Sequence, residues 1–470
     1  MTPCSIFAGR GNPSSRFSKY GGGREYYLAT AADQVFLLPT SPLDLTGVAS
    51  HEVFLRGALD KVGAHPDFLQ IGEYKIAANQ YTRTGFSAAH REVSEALNRE
   101  MHAQLVSGIA EARGKGEDEV RALLDQGPFA PEDARRAGLV DDLAYLDQID
   151  DRVPALRAGN GTRWIEGADY QRVSPRSVGI QPQSRIAVIY AVGIIASGRS
   201  RYDAVNGPVV GSDTLVEQIR RVRDDDSIKA IILRVDSPGG SSVASDVIWR
   251  ELAITRDSKP SRPLVASMSD LAASGGYYIA MAAPTIVAQP ATLTGLIGIY
   301  AGKLAVGGTL AKLGVTTETV HSGQNADINS PFAPFTSAQR ARLRDYMQGF
   351  YTDFLAKAAE ARGKTPAEID AVAQRRVWTG RQALNRGLVD ALGGLDVAVV
   401  LAKERANITG DEDVEIVVFP PRRSLYDALA VEVRSGPSVW DLFGGATDIR
   451  VLAALTAPAR LFRRGEPLAL

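Results

Sequence analysis

Short β-branched runs alternate with amphipathic stretches over much of the chain. Residues Ile186–Ile195 and Lys229–Asp236 are rich in isoleucine and valine and predict buried strands. Residues Asp213–Arg223 and Val243–Arg256 place their apolar side chains at helical spacing and predict helices. Strands that alternate with helices in this way favour an α/β fold with largely parallel strands.

The same alternation continues toward the C-terminus. Residues Leu264–Met268 and Thr285–Ala288 predict two further strands, and Thr336–Arg362 predicts a long amphipathic helix. Residues Val414–Phe419 predict a last strand, which precedes a tail rich in proline and arginine.

Several blocks of sequence occur twice at a nearly constant spacing. The matched blocks are Tyr26–Pro39 with Tyr277–Pro290, 251 positions apart, and Glu111–Lys115 with Glu360–Lys364 and Ala134–Asp141 with Ala383–Asp390, both 249 positions apart. An offset that drifts by so little over three blocks predicts a tandem duplication.

The duplication predicts how the chain is divided. Residues 24–150 form a first, partial repeat, and residues 184–407 form a second, more complete one. Residues 151–183 contain several prolines and glycines and predict a linker. Residues 1–23 are expected to be an irregular N-terminal segment and residues 408–470 a C-terminal extension. Because the first repeat has no counterpart of the second repeat's opening strands, it is expected to be N-terminally incomplete, and the chain is expected to begin inside a fold.

Composition and charge exclude several classes of protein. The 470 residues are 45% hydrophobic and 23% charged, with a net charge of −1, as in a globular protein without a basic surface for nucleic acid. The single cysteine, Cys4, excludes an intramolecular disulfide framework and a cysteine-based metal site. No apolar run reaches the roughly 18 residues of a transmembrane helix, and the N-terminus lacks the pattern of a cleavable signal. We expect neither a cofactor nor a metal ion.

Ser274 lies between two alanines and two glycines, where a predicted strand gives way to a predicted helix. Small neighbours allow another backbone to approach the hydroxyl, and the Gly275 N–H can face a developing negative charge. This pattern is typical of an acyl-transfer nucleophile. It is equally typical of a serine that caps a helix beside packed glycines.

The turn Asp236–Gly240 has the sequence Asp-Ser-Pro-Gly-Gly and follows another predicted strand. Its backbone N–H groups are expected to point above the end of the strand. The turn has no lysine partner, which disfavours a phosphate loop. With Ser274 nearby, Gly239 or Gly240 would supply the second donor of an oxyanion hole.

A serine nucleophile also needs a base, and two residues are candidates. His321 is the histidine that lies in the same repeat as Ser274. Lys75 follows an apolar predicted strand, Phe68–Ile71, and precedes small apolar residues. Burial would lower the pKa of the lysine and leave a neutral amine able to accept a proton.

Each repeat carries half of the possible Ser-Lys pair. Alignment of the repeats places Gly23 opposite Ser274 and Ala326 opposite Lys75. The sequence therefore predicts a single site, built where the two repeats meet.

Four motifs carry a resemblance to a known family. They are Gly72–Lys75 (GEYK), Asp236–Gly240 (DSPGG), Ala273–Tyr278 (ASGGYY) and Thr292–Gly298 (TLTGLIG). Over about residues 20–420, the chain resembles the long, tandem-repeat form of the signal peptide peptidase A family, also called protease IV. These are Ser-Lys peptidases of the Clp-protease/crotonase superfamily.

The resemblance implies a fold, a mechanism and a setting. It implies tandem Clp-protease/crotonase-like repeats, with Ser274 as nucleophile and Lys75 as general base. The backbone at Gly239, Gly240 and Gly275 would form the oxyanion hole. The implied substrates are released signal peptides and other apolar peptides. The implied assembly is a homo-oligomer, a tetramer by family resemblance, anchored in the bacterial cytoplasmic membrane with its catalytic part on the outer, periplasmic face.

This chain departs from the family pattern in two ways. By comparison with that pattern, the chain is expected to lack the anchor helix and the opening half of the first repeat. Relatives also commonly place a serine, which hydrogen-bonds the catalytic lysine, where this chain has Leu296. Thr294 or a water molecule would have to replace that hydroxyl.

Two other functions are compatible with the sequence. A crotonase-like acyl-CoA enzyme would use the same backbone donors to hold a thioester oxygen. The second alternative is a catalytically silent assembly protein, which is favoured if the first repeat is genuinely incomplete.

Overall fold

A computed structural model describes residues 15–18, 21–72, 74–149, 167–170, 172–204, 206–373, 376–421 and 468–469. The strands within these residues are β1 (Ser15–Ser18), β2 (Gly21–Gly22), β3 (Gln34–Leu37), β4 (Leu43–Asp44), β5 (His65–Gln70), β6 (Asp142–Leu143), β7 (Ser184–Val192), β8 (Ile194–Ala196), β9 (Arg201–Asp203), β10 (Gly207–Gly211), β11 (Ile228–Ser237), β12 (Gly240–Ser241), β13 (Leu264–Ala273), β14 (Thr285–Ala288), β15 (Leu293–Gly295), β16 (Tyr300–Ala305), β17 (Val377–Thr379), β18 (Ala391–Leu392), β19 (Val414–Phe419) and β20 (Leu468–Ala469).

The α-helices are α1 (Gly23–Ala29), α2 (Arg56–Val62), α3 (Asn79–Thr82), α4 (Ala88–Arg113), α5 (Glu117–Gln126), α6 (Pro131–Arg136), α7 (Gly167–Tyr170), α8 (Ser212–Asp224), α9 (Ser242–Ser258), α10 (Gly275–Ala280), α11 (Gly307–Lys312), α12 (Ser337–Arg362), α13 (Pro366–Ala373), α14 (Gly380–Asn385) and α15 (Leu395–Arg405). Short 3₁₀ helices span Ile76–Ala78, Leu146–Gln148 and Pro175–Val178.

The chain divides into two compact units. One consists of residues 1–51 and 94–181, and the other of residues 52–93 and 182–470. Residues 52–93, which the sequence assigned to the first repeat, thus belong to the unit that contains residues 184–407. Lys75 and Ser274 therefore lie in the same unit.

The smaller unit is a mixed α/β structure. Strands β1, β3 and β6 form a parallel sheet in that order, and β2 pairs with β4. Its core combines Leu37 and Leu45 with Val106 and Ile109 of α4 and with Leu139. Within the predicted irregular segment 1–23, Ser15–Ser18 and Gly21–Gly22 are strands, and residues 1–14, 19 and 20 lie outside the described part of the chain.

The larger unit is built on a sheet with helices on both faces. The order is β17-β15-β13-β11-β7-β19, with β14 beside β13 and β18 beside β14, and every pairing except β15 with β17 is parallel. Successive side chains of a strand face opposite sides of a sheet. Ile189 accordingly packs in the same cluster as Ile248 of α9, while Ile232 packs in a cluster with Ala398 of α15.

A second sheet of this unit contains β5, which leads into the segment of Lys75, and β12, which begins at Gly240. Its order is β5-β16-β20-β12-β8-β10-β9. Strand β5 pairs antiparallel with β16 over Gln70 to His65 and Tyr300 to Ala305, and the Ile71 N–H donates to the Ile299 carbonyl at 3.3 Å. This pairing brings the segment that follows β5, with Lys75, to residues 296–300.

The matched blocks of sequence make matching hydrogen bonds. The Tyr26 hydroxyl donates to the Leu139 carbonyl at 2.6 Å, and the Tyr277 hydroxyl donates to the Leu388 carbonyl at 2.9 Å. The further equivalent contacts are the ion pairs Arg113–Asp141 and Arg362–Asp390 and the bonds from the Val35 and Ile286 N–H groups to those two aspartates.

Most of the predicted elements of the larger unit are confirmed within one or two residues. Strands β14 and β19 have the predicted bounds, and α12 begins one residue after its cap, Thr336.

The predicted strand Ile186–Ile195 is divided in two because Gly193 has a φ of +102°. A Cβ there would lie 1.8 Å from the Pro208 carbonyl oxygen, so only glycine fits this bend.

Two regions of the prediction fall largely outside the described residues. Of the predicted linker, 151–166 and 171 lie outside them, and so do 422–467 and 470 of the C-terminal extension. Within the described residues, no helix is both long enough and apolar enough to cross a bilayer.

Candidate active site

Ser274 stands at a sharp turn between β13 and α10. Its backbone has φ 53° and ψ −115°, a combination that costs a residue with a side chain on the order of 1–3 kcal/mol. The Ser274 N–H donates to the Gly295 carbonyl at 2.8 Å, which holds the turn against the end of β15. A strained serine at the end of a central strand is typical of a nucleophile that the fold keeps in place.

The two glycines after Ser274 are required by close packing. A Cβ on Gly275 would lie 2.5 Å from Ser245 Oγ and 3.2 Å from the Gly240 nitrogen, and one on Gly276 would lie 2.5 Å from the Ser237 carbonyl oxygen. The glycines therefore let the start of α10 lie directly against the turn after β11. This contact brings Gly239 and Gly240 beside Ser274's own segment, as the sequence predicted.

Lys75 reaches Ser274 across a gap of 199 residues in sequence. Its Nζ lies 2.9 Å from Ser274 Oγ, and both side chains belong to residues with 0% exposure. Lys75 itself precedes the 3₁₀ helix Ile76–Ala78, in the segment that β5 delivers. The structure thus brings together the two residues that the sequence proposed as base and nucleophile.

Burial is the cause of an unusual pKa at Lys75. Removal of the ammonium from water holds the pKa of Lys75 well below its usual range. The amine makes hydrogen bonds with two neutral oxygens, Ser274 Oγ and the Leu296 carbonyl at 3.4 Å, which do not supply a compensating negative charge. A neutral amine at this position is able to accept a proton.

The residue at position 296 contacts the lysine through its backbone. Leu296 has a φ of +52°, and its carbonyl oxygen accepts from Lys75 Nζ. The Thr294 hydroxyl, which the sequence offered as a substitute, donates instead to the Ala272 carbonyl at 2.8 Å. The Ser274 hydroxyl donates to the Gly298 carbonyl at 3.4 Å. The Leu296 carbonyl therefore contacts Lys75, for which a side-chain hydroxyl was the expected partner.

The two glycines of the turn after β11 have different hydrogen bonds. The Gly239 N–H donates to Ser237 Oγ at 3.1 Å, and the Gly239 carbonyl accepts from the Ile195 N–H at 2.8 Å. Gly239 is thus engaged in holding the turn. The N–H groups of Gly240 and Gly275 lie on adjacent segments and are the better candidates for oxyanion donors.

An extended backbone segment runs beside this turn. Strand β20 pairs antiparallel with β12, opposite Gly240 and Ser241, and with Tyr300 of β16. The sheet therefore has room for one strand between the candidate oxyanion turn and the segment near Lys75.

The other sequence candidate lies elsewhere. His321 is exposed, whereas the Ser274 hydroxyl is buried. Among the described residues, no group of three or more histidine, cysteine or acidic side chains is arranged to hold a metal ion.

Sequence reasoning missed the Leu296 and Gly298 carbonyls because a backbone acceptor leaves no residue type to recognise. The only available signal was the glycine spacing in Thr292–Gly298, which indicates a tight turn but not its hydrogen bonds.

Comparison with known proteins bears on this site. The family model described as peptidase family S49 matches residues 15–158 and 256–409. The chain belongs to peptidase family S49. The second matched region contains Ser274, and the first contains Lys75.

Several proteins named as proteases are similar to this chain over most of its length. The chloroplastic serine protease SPPA of Arabidopsis thaliana is 34% identical over 415 residues, which cover 87% of this chain and 61% of that protein. Protease 4 of Salmonella typhi is 35% identical, over 82% of this chain and 62% of that protein. Protease 4 of Haemophilus influenzae is 30% identical, over 87% of this chain and 68% of that protein. The chain thus spans about three-fifths of the length of the first two relatives.

Proposed function

We propose that this S49 family member is a serine endopeptidase with Ser274 as nucleophile and Lys75 as general base. The observation that carries the proposal is the 2.9 Å separation of Lys75 Nζ and Ser274 Oγ between two fully buried side chains. The relatives are named as proteases, which supports the same reaction class.

The proposed reaction uses the neutral amine twice. Lys75 Nζ accepts the hydroxyl proton as Ser274 Oγ attacks the peptide carbonyl, and it returns that proton to the leaving amine. The resulting acyl-enzyme is hydrolysed by water, with Lys75 again as the base. The oxyanion would be held by the N–H groups of Gly240 and Gly275, while Gly239 fixes the turn through Ser237.

The proposed substrates are released signal peptides and other largely apolar peptides. An antiparallel strand beside Gly240 and Tyr300 supports recognition of an extended backbone, since β20 pairs there through its main chain. In this mode the backbone provides affinity and alternate side chains provide selectivity.

The proposal extends to the architecture and the setting. We propose that the two regions matched by the family model are tandem Clp-protease/crotonase-like repeats, because equivalent blocks make equivalent hydrogen bonds. We also propose a homo-oligomer, a tetramer by family resemblance, that acts at the outer, periplasmic face of the bacterial cytoplasmic membrane.

A fluorophosphonate probe tests the dyad directly, because it reports an activated serine. The expected result is labelling at Ser274, identified by peptide mass, and its loss in both Ser274→Ala and Lys75→Ala. An apolar signal-peptide substrate should be cleaved by the same preparation. Binding of coenzyme A without labelling would refute the peptidase and favour an acyl-CoA enzyme.

A further inference from the structure

Three charged or polar side chains link the segment of Lys75 to the segment around Arg376, which is distant in sequence but belongs to the same unit. The Tyr74 hydroxyl donates to Glu92 Oε2 at 2.9 Å, and the Arg376 guanidinium pairs with the other oxygen of that carboxylate. The guanidinium also lies 5.5 Å from the centre of the Tyr74 ring. We call Tyr74, Glu92 and Arg376 the dyad clamp.

The backbone of the clamp leads directly to the dyad. Tyr74 is bonded to Lys75. The Arg376 carbonyl accepts from the Leu296 N–H at 2.9 Å, and the Leu296 carbonyl accepts from Lys75 Nζ at 3.4 Å. The links therefore form a closed ring, which runs from the lysine through Leu296, Arg376 and Glu92 and back to the lysine through Tyr74.

The residues of this ring are held from more than one side. Arg376 comes immediately before β17, which pairs with β15 and thereby fixes the turn that contains Leu296. Its guanidinium also lies 4.8 Å from the Trp378 ring centre and has only 12% side-chain exposure, whereas Glu92 has 50%. The hydrogen bond from the Tyr74 hydroxyl, together with the one from Arg376, lowers the pKa of Glu92. The carboxylate is therefore ionised at neutral pH.

The proposed mechanism depends on the exact position of the Lys75 amine. Its side chain has four rotatable bonds, and the amine must stay both dry and within reach of Ser274 Oγ. A half-exposed ion pair adds little to global stability. The same pair can still restrict a segment whose small displacement would separate the reacting atoms.

We propose that Tyr74, Glu92 and Arg376 are positioning residues that hold Lys75 against Ser274 by fixing both the lysine's own segment and the Leu296 carbonyl. This inference rests on the proposed Ser-Lys mechanism. It assigns to the clamp no contact with substrate.

The test compares Glu92→Gln with the intact protein in fluorophosphonate labelling of Ser274 from neutral to alkaline pH. A displaced amine should slow labelling by roughly ten- to hundredfold. Because a looser site admits water to the amine, the pH midpoint of labelling should also move upward. A variant that merely lowered the folded fraction would reduce labelling without moving that midpoint.

Two further variants make the result specific. Arg376→Gln should behave like Glu92→Gln, and the double variant should be no slower than either single one, because both changes break one ring. Tyr74→Phe removes only a hydroxyl and keeps the aromatic ring, so it provides a mild perturbation if a charge variant fails to fold.

Glu217→Gln is the matched control. It removes one carboxylate from the exposed pair with Arg221 in α8, whose atoms are 2.6 Å apart, and should leave both rate and midpoint unchanged. Labelling of Glu92→Gln within twofold of the intact protein, at the same midpoint, would overturn the clamp and leave the dyad standing. An intact protein that does not react at Ser274 would overturn the dyad itself.

Discussion

Replacement of the buried lysine by methionine should change stability in a pH-dependent way. The Lys75→Met substitution keeps a long unbranched side chain and removes the amine. Since burial lowers the pKa of Lys75 well below its usual range, the folded protein holds one proton fewer than the unfolded chain between the folded-state pKa and about 10.4. In that interval the stability of the intact protein relative to the variant should rise by about 1.4 kcal/mol per pH unit.

The sign and limits of this effect follow from proton counts. Below the folded-state pKa both states bind the proton, and above about 10.4 neither does, so the difference is constant at both ends. Above about pH 10.4, Lys75→Met should be less stable than the intact protein by about 0.5–1.5 kcal/mol for each lost hydrogen bond. The lost bonds are those to Ser274 and to the Leu296 carbonyl. The pH at which the slope begins measures the folded-state pKa.

Urea denaturation at closely spaced pH values measures this difference. Titrations of all other groups cancel when the intact protein and the variant are compared at the same pH. The same substitution at the exposed Lys229 controls for removal of one amine. If the difference between the intact protein and Lys75→Met is flat from about pH 6 to 10, Lys75 is charged when folded, and the general-base argument fails.

The site makes four further predictions. Labelling of Ser274 should rise from neutral to alkaline pH as Lys75 loses its proton, and a flat profile would argue against a lysine base. Ser274→Gly and Ser274→Ala should both abolish labelling, but the glycine variant should be more stable by about 1 kcal/mol in urea, since glycine tolerates a φ of 53°. Leu296→Ser should retain or raise the labelling rate, because the backbone carbonyl and not the side chain reaches Lys75; a large loss would show that the leucine is structurally required. Gly275→Ala should slow labelling by roughly 100-fold or more as its Cβ meets Ser245 and Gly240, whereas Gly57→Ala, with open space around it, should not.

Local sequence signals predicted the elements of the larger unit well. Strands such as Thr285–Ala288 and Val414–Phe419 are short, apolar and bounded by polar or turn residues, so their limits are visible in the sequence. The cap at Thr336 likewise marks where α12 begins, because its side chain accepts from the Gln339 N–H. These features depend on neighbouring residues and need no tertiary information.

The division into units was not accessible from the repeat. The predicted bounds of the first repeat, residues 24–150, include residues 52–93, but contacts group those residues with residues 182–470. The pairing of β5 with β16 joins residues more than 200 positions apart and leaves no periodic trace in either strand. The unit to which a strand belongs is decided by its pairing partners and not by the repeat that the sequence predicts.

The candidate site shows a similar limit. Ser274 was predicted from its small neighbours and Lys75 from its apolar surroundings, and the predicted repeat suggested that the two share one site. Lys75 is held by the Leu296 carbonyl and by the ion pair of Glu92 with Arg376, two residues that are 284 positions apart. A backbone acceptor and a long-range ion pair give no motif, so geometry alone reveals them.

The proposed mechanism gives a physical reason why the lysine comes from a segment distant in sequence from Ser274. An amine becomes a base near neutral pH only when water is kept from it, and a residue on the same loop as Ser274 would share the open side from which a peptide must enter. Lys75 instead follows β5, which pairs with β16, and its amine contacts the Leu296 carbonyl. The proposed peptide position lies between β12 and β16, and with β20 paired there Lys75 is buried. In the proposed mechanism, the nucleophile and the base therefore come from separate segments of sequence and meet as one buried pair.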